Sequence, residues 1–315
     1  MVKDALGNRM KTYYEEVTKT RLTRRMPVII RLDGKAFHTF TRGFKKPFDE
    51  LLIKTMQATM KYLCENIQGC VLGYTQSDEI TLVLVDYKEL NTSAWFDYEV
   101  QKICSISAAM ATFAFNKYFN DFYLEQLAEK GEADNYDLTY DKARRKGALF
   151  DSRCFNIPKE EVTNCILWRQ LDAERNSILS VGQANFSQKQ LQNKSCNKVK
   201  EMLETEKGII WGNLPTTQKR GSCCIKDVWY TLEDGQNVKN NSHIIYKDET
   251  GQFYWDGDGY YFFATGRVDN PNCIFVKTGQ KLDVKENSKW IIDNDIPRFI
   301  DDGRDYIEKL VFVGE

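Results

Sequence analysis

Two acidic residues stand where carboxylates can do metal chemistry. Asp33 closes a short apolar run, Val28 to Leu32, which is interrupted by Arg31 and followed by Gly34. Asp78 lies in the polar turn Thr75-Gln76-Ser77-Asp78-Glu79, between the apolar runs Cys70 to Tyr74 and Ile80 to Val85. Short apolar runs bounded by turn residues predict strands, and the second pair predicts a β-hairpin. Neighbouring strands of a strand–helix–strand unit bring their ends together, so Asp33 and Asp78 are expected to meet. Two carboxylates at adjacent strand ends form a hard, oxygen-rich site suited to Mg2+. Such a site can hold two ions, one activating an attacking hydroxyl and one clamping a triphosphate. Asp-Gly and Ser-Asp-Glu are also ordinary turn fillers, so spacing alone leaves a purely structural role open.

The residues after Asp33 add a phosphate-binding character. Gly34-Lys35-Ala36-Phe37-His38 follow the strand directly, and small residues there let backbone N–H groups come close to a phosphate. Lys46 precedes Pro47 and supplies a point charge; read alone, it is a solvated lysine and His38 a surface-loop histidine. Glu79 either supports the metal ligands from behind or completes the turn.

These residues need elements to hold them. Pro47 and Asp49 signal a helix start, and Leu52, Met56, Met60 and Leu63 follow at helical spacing up to Gly69. A long helix is expected from Ser93 to Phe119, with Ile103, Ile106, Met110 and Phe113 as its apolar stripe. The polar stretch Lys130 to Lys146 reads as a loop or insertion. A strand is expected near Phe150 to Ile157, a helix from Glu160 to Val181, and a basic helix from Gln188 to Leu203. From Asp227 onward Gly, Asp, Asn and aromatic residues dominate, as in Gly251-Gln252-Phe253-Tyr254-Trp255-Asp256-Gly257, which predicts a β-rich extension.

Composition narrows the class. With 315 residues, 42% of them hydrophobic, the chain can bury a large core or two domains. Lys plus Arg is 44 and Asp plus Glu 45, a net charge of −1. A protein coating nucleic acid nonspecifically is basic throughout, so RNA contact here needs local patches. Candidate runs are Lys19 to Arg25, Lys142 to Lys146, Lys194 to Lys200, and Lys219-Arg220, although a solvated face explains any one of them. Nine cysteines without a C-x-x-C pair, and only His38 and His243, predict reduced, mostly buried thiols rather than zinc. No apolar run approaches the roughly 20 residues of a membrane-spanning helix. Met1 to Glu16 lack a signal-peptide centre, so the cytoplasm is the expected compartment.

Arg31-Leu32-Asp33-Gly34-Lys35-Ala36-Phe37-His38, Lys46-Pro47 and Gln76-Ser77-Asp78-Glu79 together resemble the tRNA-histidine guanylyltransferase family. Trp168-Arg169-Gln170-Leu171-Asp172 with Asn176 resembles the family's W-R-Q-x-D block, and Arg220-Gly221 its R-K-G segment. The similarity spans about Lys11 to Ile225. It implies an α/β (α+β) fold, a polymerase-like palm with an antiparallel sheet and flanking helices, over residues 1–226. Residues 227–315 would then form the C-terminal extension. It also implies two Mg2+ ions on Asp33, the Gly34 carbonyl and Asp78, with Glu79 as a further catalytic residue. Asp33, Gly34, Lys35, Ala36, Phe37, His38, Lys46, Ser77 and Asp78 would hold the nucleotide, ATP, GTP or another triphosphate. Lys102, Arg169, Asp172, Arg175, Asn176 and Lys194 would serve tRNA binding or 5′-end activation. Family members activate a tRNA 5′-phosphate, usually with ATP, and the 3′-hydroxyl of an incoming nucleotide then attacks that end. They are commonly homotetramers.

The departures carry information. Family enzymes of the eukaryotic type continue with H-I-N-N, where this chain has Glu174-Arg175-Asn176-Ser177. Their Arg-rich stretch before the long helix is replaced by Ser93-Ala94-Trp95-Phe96-Asp97, leaving Lys102 as the best match. These changes, with Trp290-Ile291-Ile292-Asp293 and Ile296-Pro297, resemble the bacterial and archaeal guanylyltransferase-like branch, which repairs 5′-truncated tRNA by template pairing. The rival readings are a nucleotide cyclase built on the same palm and a noncatalytic tRNA-binding protein. A cyclase leaves a basic groove unexplained, and a binding protein does not need both aspartates.

Overall fold

The computed structural model describes residues 4–130, 136–232 and 284–314, together with short strands between 237 and 282. It divides into two compact units, one of residues 1–225 and 292–315 and the other of residues 226–291.

The first unit opens with a short helix, α1 (Ala5–Met10), and continues β1 (Val28–Gly34), α2 (Phe37–Phe40), α3 (Glu50–Asn66), β2 (Cys70–Gln76) and β3 (Glu79–Leu84). Then come α4 (Val100–Lys130), α5 (Asp137–Lys146), β4 (Phe150–Asn156), α6 (Lys159–Asn185), α7 (Gln188–Leu191), α8 (Cys196–Lys207), α9 (Thr216–Arg220) and β5 (Ser222–Leu232). In the second unit the described residues are strands: β6 (Asn237–Lys239), β7 (Ile245–Lys247), β8 (Phe253–Trp255), β9 (Gly259–Tyr260), β10 (Phe275–Val276) and β11 (Lys281–Leu282). The chain returns along β12 (Val284–Asp293) and ends in α10 (Asp305–Val311).

The main sheet has the order β12-β5-β2-β3-β1-β4, with β6 joined to β5. Antiparallel pairing of β1 with both β3 and β4 sets the register, placing Asp33 between Glu79 and Asp151. Because strand side chains alternate, Ile29, Arg31 and Asp33 share one face and Val28, Ile30 and Leu32 the other. The first face is covered by α6 and α10: Ile29, Leu72, Val83, Val162, Ile166, Ile307 and Val311 form one buried cluster. The other face carries α3 and α4. A Cβ at Gly73 would stand 2.6 Å from the Cys64 sulfur and 2.8 Å from Met60, so a glycine lets α3 lie directly on β2.

Asp49 caps α3 by accepting from Leu52 N–H at 3.0 Å, as the sequence predicts. Four expectations need correction. The long helix starts at Val100, after a 3-10 turn at Trp95–Tyr98, and its stripe is different: Ile103, Ser107, Ala111, Phe115, Phe119 and Tyr123 are buried, while Ile106 and Phe113 are exposed. The i, i+4 row that faces the sheet includes small residues, which an apolar count passes over. The stretch read as a loop contains α5, held by buried Tyr140, whose hydroxyl donates to Asp49 at 2.6 Å. The basic helix is two, because Asn193 takes a left-handed φ of 57° and Ser195 starts a new N-cap. Finally, residues 292–315 belong to the first unit rather than to an extension, because Ile296, Phe299, Ile307 and Val311 join its core.

The eight described cysteines are free, and four of them are buried. Among the described residues no helix is long and apolar enough to cross a membrane.

Candidate active site

The strand ends deliver the two aspartates as the sequence predicts. Asp33 lies opposite Glu79 in the β1–β3 pairing, one residue from Asp78, and Gly34 N–H donates to the Asp78 carbonyl at 3.0 Å. Ser77, at a left-handed φ of 51°, makes the hairpin turn, and its hydroxyl donates to the Asp78 carboxylate at 3.1 Å. Burial, and then the negative charge of Asp33, hold the Asp78 carboxyl above the usual carboxylate range. Among the described residues neither Asp33 nor Asp78 is paired with a cation.

The turn after β1 is only partly free for an anion. Gly34 N–H is used by Asp78, and Lys35 N–H by the Leu149 carbonyl at 2.8 Å. Among the described residues the N–H groups of Ala36, Phe37 and His38 have no hydrogen-bond acceptor. Ala36 takes a left-handed conformation, φ 54°, which turns the chain sharply into α2. Gly34 is required here, since a Cβ would run into the Phe37 ring. That ring belongs to a cluster with Phe40, Phe115 and Phe150 that fixes the turn from below.

A cavity of 650 Å³ opens beside these residues. Its lining includes Asp33, Asp78, Ser77, His38 and Lys46, the apolar Phe44, Phe48 and Leu52, and Asn176, Ser177 and Arg220. Its volume falls within the range of small-ligand and cofactor sites. Apolar walls beside carboxylates and a cation suit a flat base joined to a polyphosphate. Lys35 is exposed and does not line the cavity.

Behind the aspartates lies a buried ion pair. Arg169 donates to Glu79 at 2.6 Å and to Asp172 at 3.0 Å, and both Arg169 and Glu79 are only 7% exposed. This corrects the expectation that Arg169 faces RNA: its guanidinium is occupied by carboxylates. Asp172 also meets Arg175 at 3.5 Å and Asn176 at 3.4 Å. Arg175 is exposed, and Asn176 lines the cavity. Lys194 is exposed in the turn between α7 and α8. Lys102 is not brought to the site. Cys104 meets Cys154 at 3.7 Å, and Cys154 pairs with Ile30, so Lys102 lies toward the start of β1, away from Asp33.

Sequence reasoning missed Asp151 and Arg153, which the register sets beside Asp33 and Arg31. Their alternation in an expected strand was the available signal, but the strand's neighbour was not. It also missed the partners of Glu174, which meets Arg298 at 3.1 Å and Arg220 at 3.9 Å.

Comparison with known proteins matches residues 7–158 to the family model for tRNAHis guanylyltransferase. A solved bacterial tRNA(His) guanylyltransferase-like protein in complex with ATP is 33% identical, covering 98% of this chain and 100% of that one with a TM-score of 0.69. A structure of such a protein in complex with GTP has the same identity and coverage, with a TM-score of 0.63. The tRNA(His) guanylyltransferase of Schizosaccharomyces pombe is 27% identical over 75% of this chain and 90% of its own length.

Proposed function

The chain belongs to the tRNAHis guanylyltransferase family, and we propose that it adds nucleotides to the 5′ end of tRNA in the 3′-to-5′ direction, choosing each by pairing with the opposite strand. The observation that carries this reading is the meeting of Asp33 and Asp78 at the mouth of a nucleotide-sized cavity. The membership supports tRNA as substrate, and the solved relatives in complex with ATP and GTP support both as nucleotides.

The residues fit Mg2+. Two carboxylates in no ion pair among the described residues, one of them pushed toward protonation by burial and by the other, form a site that favours a cation. Asp33, Asp78 and the Gly34 carbonyl would hold the ions. Among the described residues no three acidic, cysteine or histidine side chains converge, so water and phosphate oxygens would complete the coordination. When bound, Mg2+ supplies charge stabilisation for the phosphates. The chain's own share is positioning: Lys46 and the free N–H groups from Ala36 to His38 hold the triphosphate, and Phe44 and Phe48 flank its base. The tRNA 5′-phosphate attacks the α-phosphorus of ATP with release of pyrophosphate, and the 3′-hydroxyl of the incoming nucleotide, losing its proton, then attacks the activated 5′-phosphorus with release of AMP.

Templated choice draws on Glu174. Where eukaryotic-type enzymes carry histidine, this carboxylate sits between Arg220 and Arg298. A group so engaged offers no fixed donor set for one unpaired guanine, and strong discrimination needs such a set. The test uses tRNAs lacking their first nucleotide, with each of the four bases opposite the gap, and maps the product end. Templated addition gives the complement each time. Addition of G throughout defeats the reading and leaves a guanylyltransferase.

A further inference from the structure

The sheet face that carries Asp33 is only partly roofed. α6 lies over Ile29, Val83 and Glu79, while the outer strand β4 shows Asp151, Arg153 and Phe155 to solvent. The register lays these in rows against β1: Phe155 beside Ile29, Arg153 beside Arg31, Asp151 beside Asp33. At the border of this open strip stands Trp168, 53% exposed. An exposed indole presents a flat apolar face on which another ring can stack.

The ring is held rather than loose. The Arg169 guanidinium lies 4.4 Å from its centroid and that of Arg31 5.5 Å. Arg169 is itself fixed to Glu79, which lies opposite Asp33. The indole is thereby tied in position to the catalytic strand end. Arg31 pairs with no carboxylate among the described residues, and its buried Nε has no hydrogen-bond partner. Trp168 is not among the residues that line the cavity. A held aromatic ring with an uncommitted guanidinium beside it has the chemistry of a base-stacking platform next to a phosphate contact.

We propose that Trp168 is the platform on which the 5′-terminal base of the RNA stacks, with Arg31 meeting the adjoining phosphate; Arg153 is already engaged by Asp151 at 2.8 Å. This rests on the tRNA-end reading above and adds the residues that seat the RNA end. The alternative occupant, the base of a triphosphate, is an outcome of the test.

The experiment compares wild type, W168A and W168F. It measures binding of 5′-phosphorylated tRNA lacking its first nucleotide, without triphosphate, and then the KM for RNA and for ATP in nucleotide addition. W168A is expected to weaken RNA binding on the order of ten- to a hundredfold, the range of one lost base–aromatic stack. KM for ATP stays unchanged, and W168F recovers most of the loss because it keeps a ring. Unchanged RNA affinity in a folded W168A overturns the proposal. So does W168F as defective as W168A, or a KM for ATP that rises in parallel. Wild type that binds the RNA but adds nothing defeats the function reading alone, since the binding comparison still tests the platform. Wild type that does not bind the RNA defeats both.

Discussion

Replacing Arg169 by alanine tests the support beneath the active site. The substitution removes the guanidinium that donates to Glu79 at 2.6 Å and to Asp172 at 3.0 Å. Glu79 is 7% exposed, and its other side-chain contact is the Thr81 hydroxyl at 3.4 Å, so it would be left as a buried, uncompensated charge. Breaking a buried pair from one side costs about 3–5 kcal/mol. Loss of the guanidinium from the Trp168 ring, 4.4 Å away, adds about 0.5–1 kcal/mol. For a unit of this size each kcal/mol moves Tm by about 2–4 °C, so Arg169→Ala should melt about 7–24 °C lower. Asp172 contributes little, because it is more open and keeps Arg175 and Asn176. Guanidinium denaturation of five proteins reads the result: wild type, Arg169→Ala, Arg169→Met, Glu79→Gln and the double variant of Arg169→Met with Glu79→Gln. The double variant should be more stable than Arg169→Met alone, since it removes the orphaned charge. The reasoning is refuted if Arg169→Ala lies within about 0.5 kcal/mol of wild type, the range of ordinary surface changes. A double variant no better than Arg169→Met refutes it equally.

Asp33→Asn and Asp78→Asn should each abolish nucleotide addition while leaving the circular dichroism spectrum unchanged; turnover near wild type with Mg2+ would remove the assignment. Asp78→Asn should also stabilise the fold at neutral pH. Burial and Asp33 raise its folded carboxyl, so the unfolded chain releases that proton first as pH rises, and stability falls through that window. The gain should vanish below the unfolded pKa of about 3.9, where both states are protonated; a gain independent of pH contradicts the cause given. Lys46→Ala should raise the KM for triphosphate by the equivalent of about 1–3 kcal/mol, the worth of a charged hydrogen bond, with tRNA binding unchanged. The reverse pattern assigns Lys46 to the RNA surface. Gln170→Ala should cost roughly 1–3 kcal/mol in denaturation, because it strands the buried Phe299 N–H and the Pro297 carbonyl that Gln170 bonds; no loss would mean that water replaces both bonds.

What the sequence disclosed was whatever is encoded locally. Asp33, Ser77 and Asp78 were legible because strand ends and hairpin turns write themselves in consecutive residues. The α3 helix was legible for the same reason, with Asp49 as a cap and a clean apolar stripe. The α4 stripe was not, since Ser107 and Ala111 are buried by the close approach of β4 rather than by their own hydrophobicity. Asp151 and Arg153 needed the register of two strands separated by more than a hundred residues. Arg169 looked like an RNA contact because its type is cationic, and only the fold shows the carboxylate that occupies it.

α6 holds several supports of the site at once. Val162 and Ile166 anchor its first turns in the core, Arg169 reaches Glu79, Gln170 clasps Pro297 and Phe299, and Ser177 accepts from the Trp211 indole at 3.0 Å. Glu174 is one turn beyond Gln170 on this helix. A carboxylate there, 15% exposed by side chain, needs positive charge, and Arg298 of the returning C-terminal segment provides it at 3.1 Å. Arg220, which lines the cavity, completes the arrangement. Glu174 is therefore tied to the residues after β12: the segment that carries Arg298 also carries Pro297 and Phe299, which Gln170 holds. A chain of this family ending at β5 would lack the cation that makes Glu174 tolerable.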